Sequence, residues 1–222
     1  MTQPVVGILG AGRAGTAFAR AMLRAGIAVD ICSTRPPKAL QHHLKIYAPG
    51  ASAVWPEQIA ERTRIRGPGA VLLAVPQEEL DDVDPQWVAG TVLVDATNTW
   101  DDELLPSWLQ AGIDEQLPTS MVIAGHFRAA LGRWVRVVKA LNHLAHHELD
   151  RAADPDLPLA QRQAAAVAAD DDDSLGHVMG LLMRMGFDPV SIGPLAATGI
   201  MEPDGPLFNK PLRREDILKH AR

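Results

Sequence analysis

The chemistry-bearing residues of this chain begin at Gly10-Ala11-Gly12-Arg13-Ala14-Gly15, a complete G-x-G-x-x-G. That spacing suits a pyrophosphate. Gly10 allows a tight turn out of a strand, Gly12 lets phosphate approach bare backbone, and Gly15 lets the following helix pack closely on the strand. The amides of Arg13 and Ala14 would face the phosphates, helped by the positive end of the helix dipole. About twenty residues on, a dinucleotide site places the residue that reads the adenosine ribose. Asp30 lies at that distance but falls inside an apparent strand. The strand tip is Ser33-Thr34-Arg35, followed by Pro36, Pro37 and Lys38. Hydroxyls and cations without an acid suit a dianionic 2′-phosphate, because Arg offers a planar fork and Lys a point charge. The expected cofactor is therefore NADP(H). The competing readings make Asp30 the ribose acid, or leave Arg35 and Lys38 merely solvated.

Other residues offer weaker chemistry. Asn98 and Asn142 each follow a strong apolar run and could hydrogen-bond a nicotinamide carboxamide or a second ring, or could cap a helix or turn. His143, His146 and His147 have a spacing that would put three imidazoles on one helical face, but His-Glu-x-x-His is absent, and a solvated or partly packed helix is the expectation. His126 reads as a surface or loop histidine, with a proton donor to the crevice as the alternative. Cys32 reads as a small buried hydrophobe. Asp170 to Asp173 reads as a solvated helix N-terminus favoured by the dipole, not a metal site. No metal site and no acid–base dyad are expected.

These residues need elements to hold them. Val5 to Leu9 is an almost continuous apolar run, the mark of a strand buried on both faces. Thr16 to Ala25 reads as a helix stopped by Gly26. Further strands are expected at Ile27 to Cys32, Ala51 to Val54, Ala70 to Val75, Thr91 to Ala96, Trp134 to Leu141, Arg162 to Ala168 and Pro189 to Ile192. A helix is expected at Ser174 to Met185. Regular β/α alternation implies an α/β fold: a doubly wound parallel sheet of Rossmann type over residues 1–193. Ligands of such sheets lie outside the carboxyl ends of the strands. That gathers Ala74, Val75 and Pro76, Thr97 and Asn98, and Leu141 and Asn142 around one crevice. Residues 194–222 are too short for a substrate domain and read as a lid, or as an arm on a partner subunit.

The chain has 222 residues, with 21 Lys plus Arg against 27 Asp plus Glu and a formal net charge of −6. A mildly acidic chain without a long basic run is a poor fit to nucleic acid or an anionic membrane. A single cysteine suits a reducing cytoplasm. The first residues lack a basic leader, and no apolar stretch is long enough to span a bilayer.

Taken together, these motifs resemble the NADP oxidoreductases that depend on the deazaflavin coenzyme F420, a family that also includes related NADPH reductases. The resemblance runs through Gly-Ile-Leu-Gly-Ala-Gly-Arg-Ala-Gly, Ser33-Thr34-Arg35 with Lys38, Val-Leu-Leu-Ala-Val-Pro, Val-Asp-Ala-Thr-Asn, Val-Val-Lys-Ala-Leu-Asn and Ala-Asp-Asp-Asp, and through the late Gly-Pro-Leu segments. It implies NADPH on the Gly10 to Gly15 loop, its 2′-phosphate at Ser33, Thr34, Arg35 and Lys38, and its nicotinamide near Val75, Pro76 and Asn142. It further implies a flavin or deazaflavin acceptor stacked on the nicotinamide, and a homodimer. Hydride transfer between stacked rings needs alignment more than an acid or base. Family members often carry Arg or Ser where Thr34 stands, and the late helical region here is shorter than in the coenzyme-reducing members. Other readings are an NADPH reductase of another small molecule and a non-catalytic NADP(H) sensor.

Overall fold

The computed structural model describes residues 5–64, 69–100 and 102–221, apart from the side chain of Asp150. The reading of residues 1–4 as free of a basic leader lies outside the described residues. In chain order the elements are β1 (Val5–Leu9), α1 (Arg13–Arg24), β2 (Ala28–Cys32), α2 (Pro37–Tyr47), β3 (Ser52–Ala53), α3 (Pro56–Arg64), β4 (Ala70–Leu73), β5 (Val92–Asp95), α4 (Ser107–Asp114), α5 (Thr119–Leu131), β6 (Arg136–Ala140), α6 (Leu149–Ala152), β7 (Ala164–Ala169), α7 (Asp172–Met185), β8 (Asp188–Gly193) and α8 (Arg214–His220). Short 3-10 turns cover Gln77–Asp82, Pro85–Val88, Leu159–Gln161 and Leu195–Met201.

The strands form one eight-stranded sheet in the order β3-β2-β1-β4-β5-β6-β7-β8. The chain order reverses beside β1, between β2 and β4, so the crevice opens at the end of β1 that leads into the glycine loop. The first six strands run parallel, as the apolar runs imply. The seventh does not: Val138 pairs with Ala169 and Ala140 with Val167, an antiparallel register. This corrects the expectation of a wholly parallel sheet. A parallel return usually runs back along the sheet through a helix, whereas the connection from β6 to β7, though long enough, holds only the four-residue α6 and a three-residue 3-10 turn. The chain therefore re-enters the sheet from the carboxyl end of β6. β8 follows β7 in parallel through α7.

Both faces are covered. Phe18, Met22, Leu40, Leu44, Leu182 and Met185 pack with Ile8, Ile31 and Leu72 on one side. Ile59, Leu109, Ile123 and Phe127 pack with Leu9, Leu73 and Leu93 on the other. A third cluster joins Ala166, Ala168, Val190 and Ile192 to Met201, Leu207 and Ile217, so the segment after Gly193 closes the outer end of the sheet. No helix among the described residues is long and apolar enough to cross a membrane.

Candidate functional site

The glycine loop joins β1 to α1, and each of its three glycines has distinct steric surroundings. Gly10 has φ of 107°, and a Cβ there would meet the Ala74 carbonyl; a Cβ on Gly15 would meet the Gly10 carbonyl. Gly12 has nothing within 4 Å of where its Cβ would lie. The loop is therefore tight underneath and open above, the shape a pyrophosphate needs. Gly12 caps α1 without a side chain, and no acidic residue stands in the first turn, so protein leaves the positive helix end uncompensated. Backbone bonds from Gly10 N to the Cys32 carbonyl (3.0 Å) and from Ala74 N to the Leu9 carbonyl (2.8 Å) fix the loop between neighbouring strand ends.

A cavity of about 360 Å³ opens over this loop. Gly10, Ala11 and Gly12 form its floor, Ser33, Thr34 and Arg35 one rim, and Ala74, Val75 and Pro76 the opposite rim. Thr34 and Arg35 are exposed, and the Arg35 amide donates to the Ser33 hydroxyl at 3.1 Å. Arg13 and Ala14 lie just beyond the floor, in the first turn of α1, with Arg13 exposed. Lys38 is exposed in the first turn of α2 and does not line the cavity. Asp30 lies within β2, where Arg62 clamps it with bonds of 2.7 and 3.2 Å, and is not part of the cavity wall. Its carboxylate is thus engaged elsewhere.

Sequence reasoning missed several wall residues. Pro56, Glu79, Asp82, Val83 and Trp87 also line the cavity. Most come from the irregular segment after β4, which carries no periodic signal. His43 of α2 was also missed: its Nε2 lies 3.2 Å from the Ala11 carbonyl, and its ring packs on Tyr47 with centroids 4.4 Å apart.

Asn98 and Asn142 meet, although neither lines the cavity. Asn98 Nδ2 donates to the Asn142 carbonyl (3.1 Å), and Asn142 Nδ2 donates to Asn98 Oδ1 (3.0 Å) and to the Met201 carbonyl (2.9 Å). Leu141, at the turn into Asn142, has φ of 71°, a strained value for a leucine. A chain of bonds links this pair to the cavity rim. Thr99 Oγ1 donates to Gln77 Oε1 (2.7 Å), and Gln77 Nε2 donates to Thr97 Oγ1 (2.9 Å).

The histidines differ from the sequence reading. Residues 141–148 form turns, not a helix, so no face carries three imidazoles. His143 is buried and its Nε2 accepts from the Ala166 amide at 3.1 Å. Burial, then the charge of Lys139, pushes its pKa down to about 3. His146 and His147 are exposed, and no metal-holding cluster exists among the described residues. His126 sits on α5 rather than in a loop, stacked on Trp108 at 3.9 Å. Burial lowers its pKa, against a smaller opposing effect of Asp81. Cys32 is 1% exposed, and burial followed by the charge of Glu57 pushes its thiol up to about 12. Asp171 caps α7 by accepting from the Ser174 amide at 2.9 Å, in accord with the helix-terminus reading.

The comparisons with known proteins agree with this geometry. The model of the family described as NADP oxidoreductase, coenzyme F420-dependent, matches residues 5–99, which hold the loop and both cavity rims. Among solved structures, a hypothetical protein from Sinorhizobium meliloti aligns with a TM-score of 0.73 at 26% identity, over 96% of each chain. A candidate F420-dependent NADP reductase from Arthrobacter sp. FB24 aligns with a TM-score of 0.62 at 19% identity, over 88% of this chain and 87% of that one. An imine reductase from Pseudomonas sp. aligns with a TM-score of 0.54 at 16% identity, over 87% of this chain but only 57% of that one. No curated protein matches the sequence. Residues 5–99 are thus similar to the NADP oxidoreductases described as coenzyme F420-dependent, and the findings together support an NAD(P)-dependent oxidoreductase with an NAD(P)-binding fold.

Proposed function

We propose that the chain binds NADP(H) across the Gly10 to Gly15 loop and serves hydride transfer to or from a flat acceptor ring of the flavin or deazaflavin class, coenzyme F420 included. The observation that carries the reading is the loop itself, open only above Gly12 and facing an uncompensated helix end. In this reading Gly12, Arg13 and Ala14 offer backbone amides to the pyrophosphate. Ser33, Thr34 and Arg35 hold the 2′-phosphate, with Lys38 adding charge from the adjacent helix turn. Trp87, Val83 and Pro56 give the cavity an apolar wall suited to adenine. Ala74, Val75 and Pro76 border the nicotinamide end, and the Asn98–Asn142 pair stiffens the strand ends behind it. When bound, NADPH supplies the hydride; the chain's task is to align the rings and exclude water.

The same reading includes a second copy of the chain as partner, supported by the exposure of Trp100 (45%) and Leu104 (88%) after β5. It includes no nucleic acid and no membrane, and it places the protein in a reducing cytoplasm, supported by the unpaired, buried Cys32. A calorimetric titration with NADPH, followed by NADPH oxidation assays with coenzyme F420, with FMN and with no acceptor, tests it. Saturable binding with turnover on a ring acceptor is expected. Binding without turnover on any acceptor would replace the enzyme reading with an NADP(H) sensor, and absence of binding would refute both.

A further inference from the structure

Beneath the Asn98–Asn142 pair lies a buried charge cluster for which hydride transfer has no evident use. The Lys139 side chain is wholly buried. Its Nζ stands 3.2 Å from Asp95 Oδ2 and 3.2 Å from Glu202 Oε1. It also donates to the Thr97 carbonyl at 2.7 Å. Asp95 is fully served: Oδ1 accepts from the Thr97 amide (3.0 Å) and hydroxyl (2.7 Å), and Oδ2 accepts from the Ser120 hydroxyl (2.6 Å) as well as from Lys139. Glu202 is half served. Its Oε1 takes Lys139 and the Thr119 hydroxyl (3.2 Å), while its Oε2 is buried without a partner.

Charge counting makes that oxygen informative. One ammonium between two carboxylates leaves a net negative charge in a nearly dry enclosure, a costly arrangement. A proton on the orphan oxygen removes it. The cluster also has mechanical reach. Lys139 holds the carbonyl that precedes Asn98, and Asn142 holds the carbonyl of Met201, the residue before Glu202. The ends of β5 and β6 and the C-terminal segment therefore form one closed circuit around the strained turn at Leu141.

We propose that Glu202, bearing a proton on Oε2, is a positioning residue for the nicotinamide end of the cleft, acting through Lys139 and the Met201 carbonyl to hold the Asn98–Asn142 pair. The proposal rests on the NADP(H) reading of the cleft. The charged groups facing Glu202 are Lys139 from β6 and Asp95 from β5, while α5 contributes the Thr119 hydroxyl to Glu202 and the Ser120 hydroxyl to Asp95. His143, next in the chain after Asn142, feels the Lys139 charge and stays neutral. Burial raises the Glu202 carboxyl above its ordinary range; Lys139 opposes this and Asp95 adds to it. Loss of the proton would set two carboxylates against one ammonium, drive Glu202 toward water and slacken the Met201–Asn142 bond.

The test compares wild type, Glu202→Gln and Glu202→Ala in titrations with NADPH and with 2′-phospho-ADP-ribose, which keeps the anchoring phosphates but lacks nicotinamide. The fragment should bind all three alike. NADPH should exceed the fragment on wild type and on Glu202→Gln, and Glu202→Ala should lose about tenfold of that advantage, the scale of one buried polar contact. As pH rises above the ordinary carboxylate range, the advantage of NADPH over the fragment, in which titration of the shared 2′-phosphate cancels, should decline for wild type and stay flat for Glu202→Gln, which cannot lose a proton. Equal NADPH affinity of wild type and Glu202→Ala, or an unchanged pH dependence in Glu202→Gln, would overturn the proposal. Failure of the fragment to bind wild type would instead overturn the cleft reading on which it stands. Should Glu202→Ala not fold, the pH comparison decides alone.

Discussion

Gly12 and Gly15 separate binding from folding within one loop. The space above Gly12 is empty of protein, so a side chain there meets nothing in the apo chain. Gly12→Val should therefore melt within a degree or two of wild type, yet abolish NADPH binding in a calorimetric titration, because its methyls occupy the proposed phosphate space. Gly15→Val should do the reverse first: its side chain meets the Gly10 carbonyl, and the melting temperature should fall, with a loss of about 1–3 kcal/mol expected for overpacking. Arg35 tests a different claim. Exposed at the cavity rim, it has no ion pair among the described residues. Arg35→Ala should cost NADPH affinity about 10- to 100-fold, the scale of a charge-assisted bond, and leave NADH affinity unchanged. Equal loss for both nucleotides would move the 2′-phosphate elsewhere. Cys32 lines the same cavity but should be inert: with its thiol near 12, a neutral-pH thiol reagent should label it only after unfolding.

At the scale of elements, the junction of β6 with β7 is where charge and fold are coupled. His143 leaves the end of β6 and accepts the Ala166 amide of β7, so it must stay neutral to make that bond. Its folded pKa is near 3 and its ordinary value is 6.5. The unfolded chain therefore takes up the proton first. The His143 contribution is fully present above pH 6.5 and is lost as pH falls from 6.5 toward 3, at up to about 1.4 kcal/mol per pH unit. Denaturant melts of wild type and His143→Gln across this window should show a steeper acid loss for wild type, since Gln can accept the amide without titrating. Equal slopes would place the acid sensitivity in another group. This junction also marks how far the sequence could be read. Val5–Leu9 and Ala70–Leu73 are legible as strands because burial on both faces writes an unbroken apolar run, and the loop glycines are legible because their steric tasks are local. Strand direction leaves no such trace, so the reversal at β7 could not be seen. Lys139 sits inside an apolar strand as an apparent anomaly, and its partner Glu202 is far away in sequence. His143, read as one imidazole of a helical trio, is instead a core acceptor for the same reason: its partner belongs to another strand.

Across the whole molecule, the last thirty residues decide whether the sheet has a closed end. The outward face of β7 and β8 shows Ala166, Ala168, Val190 and Ile192, and it is Met201, Leu207 and Ile217 that bury them. The segment is fastened in several places. The Ala164 amide donates to the Leu212 carbonyl at 2.9 Å, the Asn209 amide donates to the His143 carbonyl at 2.8 Å, and Arg214 pairs with Asp188. Phe208 lies edge-on to Trp100 at 5.8 Å, beside the strand end that bears Asn98. Deleting residues 194–222 would uncover that apolar face and leave the Lys139 ammonium without Glu202. The shortened chain should lose cooperative melting or precipitate, as exposed apolar sheet faces do, and should bind NADPH poorly even though every residue of the glycine loop remains. A truncated protein that melts cooperatively and binds NADPH as wild type does would show that the sheet closes without this segment, and would leave it only the work of a lid or an arm.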